Sequence, residues 1–297
     1  MVLGVTLFWL GQFTQARSHL EQSLALYDPQ KHRAMALRYG QDSGVVCHHY
    51  ASLTLWVLGY PEQALTMCDA MLILAHELSH PLSLVYALSI AAVVHLNYRV
   101  WHKVEELSEA SIHLATEHGF SFWVANSMTR RGIALVMQGQ IAKGMEQIQE
   151  GFTARQATGS ETRRPSSSAI LAEAYGQQGE VETGLRVLTE TITIVEHTQE
   201  GFYEPEMYRL KGELLLSQSF ENRSEAESCF QKALEVSRHQ QAKSLELRAA
   251  TSLAKLWQSQ GKRDDARALL APVYNWFTEG FDTADLIDAK TLLDELS

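Results

Sequence analysis

The sequence lacks the cysteine framework that staples small secreted domains. Cys47, Cys68 and Cys229 are its three cysteines, and they lie far apart in the chain without a C-x-x-C pair. An odd and sparse set of cysteines argues against a disulfide framework and fits a reducing compartment.

Basic charge and long apolar runs are also scarce. The chain has 25 Lys and Arg against 35 Asp and Glu, which gives a net charge of −10, so we expect no nucleic-acid partner. No run of about 18 apolar residues occurs, so no membrane partner or span is expected. The composition is otherwise ordinary for a globular protein, with 45% hydrophobic and 20% charged residues.

What the sequence does contain is a repeat built on small residues. A first series recurs at steps of 40, 40, 40, 40 and 42 residues: Ser52, Ala92, Gly132, Ala172, Gly212 and Ala254. A second series follows twelve residues later, except after Gly212, where two residues are inserted: Ala64, Val104, Gly144, Gly184, Ala226 and Ala266. Small residues at paired positions allow two helices to approach closely.

A turn residue separates the two series in all repeats but the one with the insertion near Ser219, and one more unit begins with Gly4. It is the seventh residue after the first small position: Gly11, Gly59, Arg99, Gly139, Gly179 and Gly261. Glycine there suits a chain that leaves a helix in a left-handed conformation. The flanking segments have apolar residues at i, i+3, i+4 and i+7, which predicts helices. Each repeat is therefore a helical hairpin.

Hairpins at this period predict an all-α fold, an α-α superhelix or solenoid of about seven hairpins. We expect a single domain over residues 1–297. Its units would span roughly 1–30, 42–80, 81–120, 121–160, 161–200, 201–241 and 242–280. Asp282 and Thr283 are good N-cap residues, so residues 282–297 would form a C-terminal capping helix.

The strings LAEAYGQQGEVETGLRVL (171–188) and LAKLWQSQGKRDDARALL (253–270) resemble the tetratricopeptide-repeat pattern. Longer strings, such as YGQDSGVVCHHYASLTLWVLGYPEQAL and FYEPEMYRLKGELLL, are similar to the C-terminal repeat region of bacterial multidomain predicted ATPases. These are of the AAA/STAND type and are often fused to class III adenylate or guanylate cyclase or kinase domains. The resemblance implies a regulatory or sensing role in the cytoplasm. It transfers no catalysis, because the catalytic modules lie outside this chain.

One string, HELSH at residues 76–80, matches the H-E-x-x-H pattern of zinc proteases. That chemistry needs both histidines on one continuing helix, and Pro81 directly after His80 disfavours the helical conformation there. The repeat also places HELSH at a junction between hairpins. We therefore predict no metal, no cofactor, no catalytic residue and no enzyme, and keep a zinc metallohydrolase as an alternative.

By family resemblance, the first helix of each hairpin lines the concave face of such arrays. In this register we predict that nine residues contact a partner there: His49, Trp56, Tyr86, Asn126, Glu173, Arg209, Glu213, Arg248 and Lys255. We call them the predicted contact face. The expected function is a non-enzymatic scaffold for a protein or peptide, including the ATPase or cyclase portion of its own parent chain. Two alternatives stay open: Trp56 and Tyr86 are core residues, or the array senses a small ligand as transcriptional-regulator solenoids do.

Overall fold

The computed structural model describes residues 1–31, 40–159 and 165–297, and in these residues every regular element is helical. The helices are α1 (Val2–Trp9), α2 (Phe13–Ala25), α3 (Ser43–Val57), α4 (Pro61–Leu78), α5 (Pro81–Asn97), α6 (Trp101–Glu117), α7 (Ser121–Met137), α8 (Ile141–Ala157), α9 (Pro165–Gln178), α10 (Val181–Thr198), α11 (Glu204–Gln218), α12 (Arg223–His239), α13 (Lys243–Ser259), α14 (Arg263–Tyr274) and α15 (Ala284–Glu295). Short 3-10 helices cover Gly201–Tyr203 and Phe220–Asn222. The all-α expectation is confirmed. Helices α1 to α14 follow one another as pairs, and α15 is the capping helix. The predicted boundary between two repeat units at residues 160–161 lies outside the described residues.

The predicted turn residues have the left-handed backbone that the repeat requires. All six have positive φ, including Arg99 at 61°. A second left-handed series marks the junctions between hairpins: Ser79, Gly119, Gly159, Gln199 and Gln241. A left-handed residue after the last helical turn ends the helix, because the chain then leaves the helical path.

HELSH lies at one of these junctions, as predicted. Helix α4 ends at Leu78, Ser79 is left-handed with φ 51°, and His80 is extended with φ −106° and ψ 109°. Pro81 is then the first residue of α5, a position that proline favours because its missing N–H is not needed there. His76 belongs to the last turn of α4, so the two histidines are not on one continuous helix and the zinc-protease geometry does not form.

The described residues fall into two compact units. Unit 1 comprises Met1–Val5, Ala16–Leu53 and Gln63–Thr162. Within it, α5 packs on α6, α6 packs on α7, and α7 packs on α8. The tightest approach is between α7 and α8, where a Cβ on Gly132 would lie 2.7 Å from the Gly144 carbonyl oxygen. Real Cβ contacts do not reach that distance, so the predicted role of these small residues is confirmed.

Unit 2 comprises Thr6–Gln15, Thr54–Glu62 and Arg163–Ser297. Helices α9 to α14 pack in sequence order, and α15 packs on α13 and α14. The α15 residues Leu286 and Leu292 are buried in the same hydrophobic core as Phe230 of α12 and Leu253 of α13. None of the helices in the described part of the chain combines the length and the apolar character that crossing a membrane would need.

Candidate interaction surface

The unit 1 part of the predicted contact face is an aromatic cluster on the first helices of three hairpins. His49 of α3 shares a hydrogen bond with the Tyr86 hydroxyl of α5. The Tyr86 ring meets Trp123 of α7 edge to face, with ring centroids 5.3 Å apart. Such edge-on contacts add about 0.5–1.5 kcal/mol beyond the area they bury. The cluster therefore fixes α3, α5 and α7 side by side.

Hydroxyl groups also join α5, α6 and α7 of unit 1. Ser127 of α7 donates to Ser111 of α6 over 2.9 Å, and lies 3.2 Å from the hydroxyl of Ser89 of α5. The Arg130 guanidinium also donates to Ser89. The three serine hydroxyls are buried, and these hydrogen bonds offset the cost of removing them from water.

The unit 2 part of the face centres on Glu206, which the sequence reasoning did not single out. Glu206 lies one turn before Arg209 on α11 and accepts both prongs of its guanidinium, at 2.9 Å and 2.8 Å. Arg248 of α13 donates to the same carboxylate at 3.3 Å. Glu206 is 4% exposed, so one buried carboxylate is held by two arginines from neighbouring helices.

Arg248 extends this network in two further directions. Its Nε donates to Asp285 of the capping helix α15 at 2.7 Å. Its guanidinium carbon lies 5.1 Å from the centre of the Trp56 ring, a distance at which a cation attracts the ring face. One side chain thus holds α11, α13, α15 and the end of α3 within unit 2.

Burial and ion pairing together set the pKa values of the charged groups in this network. Burial by itself raises the pKa of Glu206, but Arg209 and Arg248 outweigh it and lower the pKa to about 2. Burial lowers the pKa of Arg248, while Asp285 and Glu206 raise it above the ordinary value. Glu206 and Arg248 are therefore charged at neutral pH.

The predicted contact face divides by exposure. His49, Trp56 and Tyr86 are only 6%, 3% and 6% exposed, so each of these side chains is buried. Arg209 and Arg248 are mostly buried in the ion-pair network. The residues that reach solvent are Asn126, Glu173, Glu213 and Lys255. Contact of any of the nine with a partner stays a prediction.

Glu213 joins the buried network to the solvent-exposed part of the face. Its carboxylate accepts from Ser252 of α13 at 2.6 Å and from Arg209 at 3.4 Å, yet its side chain is 44% exposed. The spacing Glu206, Arg209, Glu213 follows i, i+3, i+7, and this is the signal from which the missed Glu206 could have been found. Asp285 gave no comparable signal.

A metal centre is not visible in the geometry of the described residues. Within residues 1–31, 40–159 and 165–297, no three or more His, Cys, Asp and Glu side chains are grouped so as to hold an ion. The three cysteines are buried free thiols, and burial raises the pKa of each. Their thiols are therefore poor nucleophiles at neutral pH.

Comparison with known proteins bears on the repeat class. Residues 1–27 and residues 247–272 each match a family described as tetratricopeptide repeat. Two segments of the chain are therefore similar to tetratricopeptide repeats. None of the curated proteins compared with it matches its sequence.

Solved structures support the same fold. Forty-nine chains match, among them the crystal structure of yeast Tom70, with a TM-score of 0.51 and 13% sequence identity. That match covers 96% of this chain and 58% of the Tom70 chain, so this chain spans little more than half of that length. The tetratricopeptide-like solenoid is thereby the fold class of this chain.

Proposed function

We propose that the chain is a non-enzymatic helical-repeat scaffold, and that it binds a protein or peptide along the first helices of its hairpins. The observation that carries this proposal is the direct side-by-side packing of α9, α11 and α13 in unit 2. These helices hold Glu173, Glu213 and Lys255 at or near the surface, and the buried ion pairs of Glu206 join α11 to α13. Fixed polar groups on a rigid base give a peptide hydrogen-bond partners at little entropic cost.

The finer proposal comes from the resemblance stated above. The chain would be the cytoplasmic regulatory or sensor region of a bacterial signalling ATPase or nucleotide cyclase. Its partner would then be the ATPase or cyclase portion of its own parent chain. The tetratricopeptide-repeat matches support the scaffold role and leave this context as a proposal.

The test begins with peptides selected against the intact chain from a display library. Affinity of the best peptide is then measured for Glu213→Arg and Lys255→Glu, which reverse single charges on α11 and α13. The matched control is Glu190→Arg, an exposed charge reversal on the second helix α10. We expect each face variant to bind about tenfold or more weakly and the control to bind as wild type, because a charge-assisted contact contributes more than 1.4 kcal/mol. Failure to enrich any peptide, or equal affinity of all three variants, would contradict the proposal.

A further inference from the structure

Phe122, in the first turn of α7, is a large apolar side chain that is 39% exposed in unit 1. Its ring meets the ring of the partly exposed Trp123 edge to face, with centroids 5.3 Å apart. The guanidinium carbon of the buried Arg155 of α8 lies 5.9 Å from the centre of the Phe122 ring. We call Phe122, Trp123 and Arg155 the aromatic patch. Aromatic and arginine side chains are the types that contribute most of the binding energy in protein interfaces.

The repeat provides two residues in unit 2 that are equivalent to Phe122. Phe122 lies ten residues before the first small residue of its hairpin, and Phe202 and Ser244 lie ten residues before theirs. Each of the three is also the third residue after a left-handed junction residue, and these junction residues are Gly119, Gln199 and Gln241. The three side chains therefore occupy the same place in their respective hairpins.

The turn of the first hairpin covers Phe202 with aromatic rings. The ring of Phe8, near the end of α1, lies 4.3 Å from that of Phe202, measured between centroids. Trp9 and Phe13 meet the same ring edge to face, at 5.8 Å and 6.3 Å. Phe202 is consequently only 4% exposed. Its place in the repeat is filled by a helix end that carries three aromatic side chains.

The turn of the second hairpin covers the same place in the last hairpin. Ser244 is 6% exposed, and its hydroxyl donates a hydrogen bond to the carbonyl oxygen of Trp56, three residues before the turn residue Gly59. Phe122 is the exposed member of the three equivalent residues. The chain itself thus shows what occupies this place when it is filled, which is a helix end, and an aromatic one where the covered residue is phenylalanine.

A folded second copy of the chain does not offer the rings that cover Phe202. Phe8 and Phe13 are 0% exposed, because they are packed inside unit 2. This leaves a different protein as the occupant of the aromatic patch. The one charged member of the patch, Arg155, is 8% exposed, so the patch offers aromatic rings to a partner rather than charge.

We propose that the aromatic patch binds a partner protein through a helix end or turn that carries aromatic side chains. These rings pack on Phe122 as the turn of the first hairpin packs on Phe202. Asn126 lies one turn further along α7 and donates to the Phe122 carbonyl oxygen over 2.7 Å, so the patch adjoins the predicted contact face. The proposal rests on the scaffold function and names the chemistry of its partner in unit 1.

The experiment titrates the intact chain into a labelled, end-blocked peptide and follows fluorescence anisotropy. The peptide has the sequence of residues 5–15, VTLFWLGQFTQ, and so carries the three rings that cover Phe202. A second peptide, in which leucine replaces these three aromatic residues, is the apolar comparator. The titrations are repeated with Phe122→Ala and with the matched control Phe220→Ala. Phe220 is 53% exposed and likewise has an arginine, Arg223, with its guanidinium carbon 5.2 Å from the ring centre.

We expect saturable binding of the aromatic peptide, about tenfold weaker for Phe122→Ala and unchanged for Phe220→Ala, because only the former removes the ring on which the peptide packs. Phe122→Leu keeps an apolar side chain at this position and should also bind more weakly, which separates lost binding from lost folding. Three results would overturn the proposal: no saturable binding, equal affinity of the leucine peptide, or equal affinities of the two alanine variants.

Sedimentation of the intact chain over a range of concentrations tests the other occupant. A dimer that is lost in Phe122→Ala would assign the aromatic patch to a second copy and would also overturn the proposal. The charge reversals on α11 and α13 leave this patch intact, so failure of the scaffold function in unit 2 and failure of aromatic binding in unit 1 are separate results.

Discussion

Arg248 should be among the most costly single side chains to remove in unit 2. Replacing it with glutamine takes one of two arginines from the buried Glu206 carboxylate, removes the ion pair to Asp285 at 2.7 Å and ends the cation–π contact with Trp56. Removing one partner of a buried ion pair costs about 3–5 kcal/mol. Since Glu206 keeps its two-pronged contact with Arg209, we expect a loss of about 3 kcal/mol for Arg248→Gln, at the lower end of that range.

The measurement is the free energy of unfolding from urea denaturation, followed by far-ultraviolet circular dichroism. The matched control is Arg186→Gln, which breaks an ion pair to Glu190 at 3.7 Å in which both side chains are more than half exposed. Exposed pairs contribute about 0–1 kcal/mol, so the control should lose no more than that. If Arg248→Gln cost no more than Arg186→Gln, the buried network would not stabilise the fold and the reasoning would be refuted.

Three further predictions concern stability. The folded-state pKa of Glu206, about 2, lies below its ordinary value of 4.5. Its ionised carboxylate therefore contributes ~3 kcal/mol to the free energy of unfolding above about pH 4.5, and this contribution is lost as pH falls toward 2. The free energies of unfolding of wild type and Glu206→Gln, measured from about pH 4.5 down to about pH 2, should converge. Burial raises the pKa of Glu204, so this side chain stabilises the folded state only at low pH, and the stabilisation is lost as pH rises through that pKa. Glu204→Gln should therefore raise the melting temperature at neutral pH, and a lower melting temperature would contradict this. Gly132→Ala places a methyl group 2.7 Å from the Gly144 carbonyl and should cost about 1–3 kcal/mol, whereas Gly176→Ala meets only a movable leucine methyl and should change the unfolding free energy little.

The repeat register could be predicted from the sequence because it rests on local sterics. A residue that ends the first helix in the left-handed region recurs in six of the hairpins, and Gly11, Gly59 and Gly139 mark it directly. Ser219, at the corresponding place in the hairpin with the insertion, is extended instead, with φ −162°. Arg99 adopts the same conformation with φ 61° because the repeat fixes the backbone even where the residue type is unfavourable. The two-residue insertion falls at the 3-10 helix Phe220–Asn222 and leaves the hairpin intact.

The side-chain environment of the predicted contact face could not be predicted in the same way. His49 and Tyr86 occupy the expected helical positions, but aromatic neighbours from adjacent hairpins bury them. The Arg248 network depends on Asp285, 37 residues later in the capping helix, and on Trp56 from the second hairpin. Such contacts arise from the packing of several helices, and the period of one hairpin does not contain them.

Hydrogen exchange on the intact chain, with and without the selected peptide, tests the scaffold function most directly. We predict slower amide exchange in the first helices α11 and α13 and unchanged exchange in the second helices α10 and α12. Slower exchange confined to the second helices, or no change anywhere with saturating peptide, would contradict it.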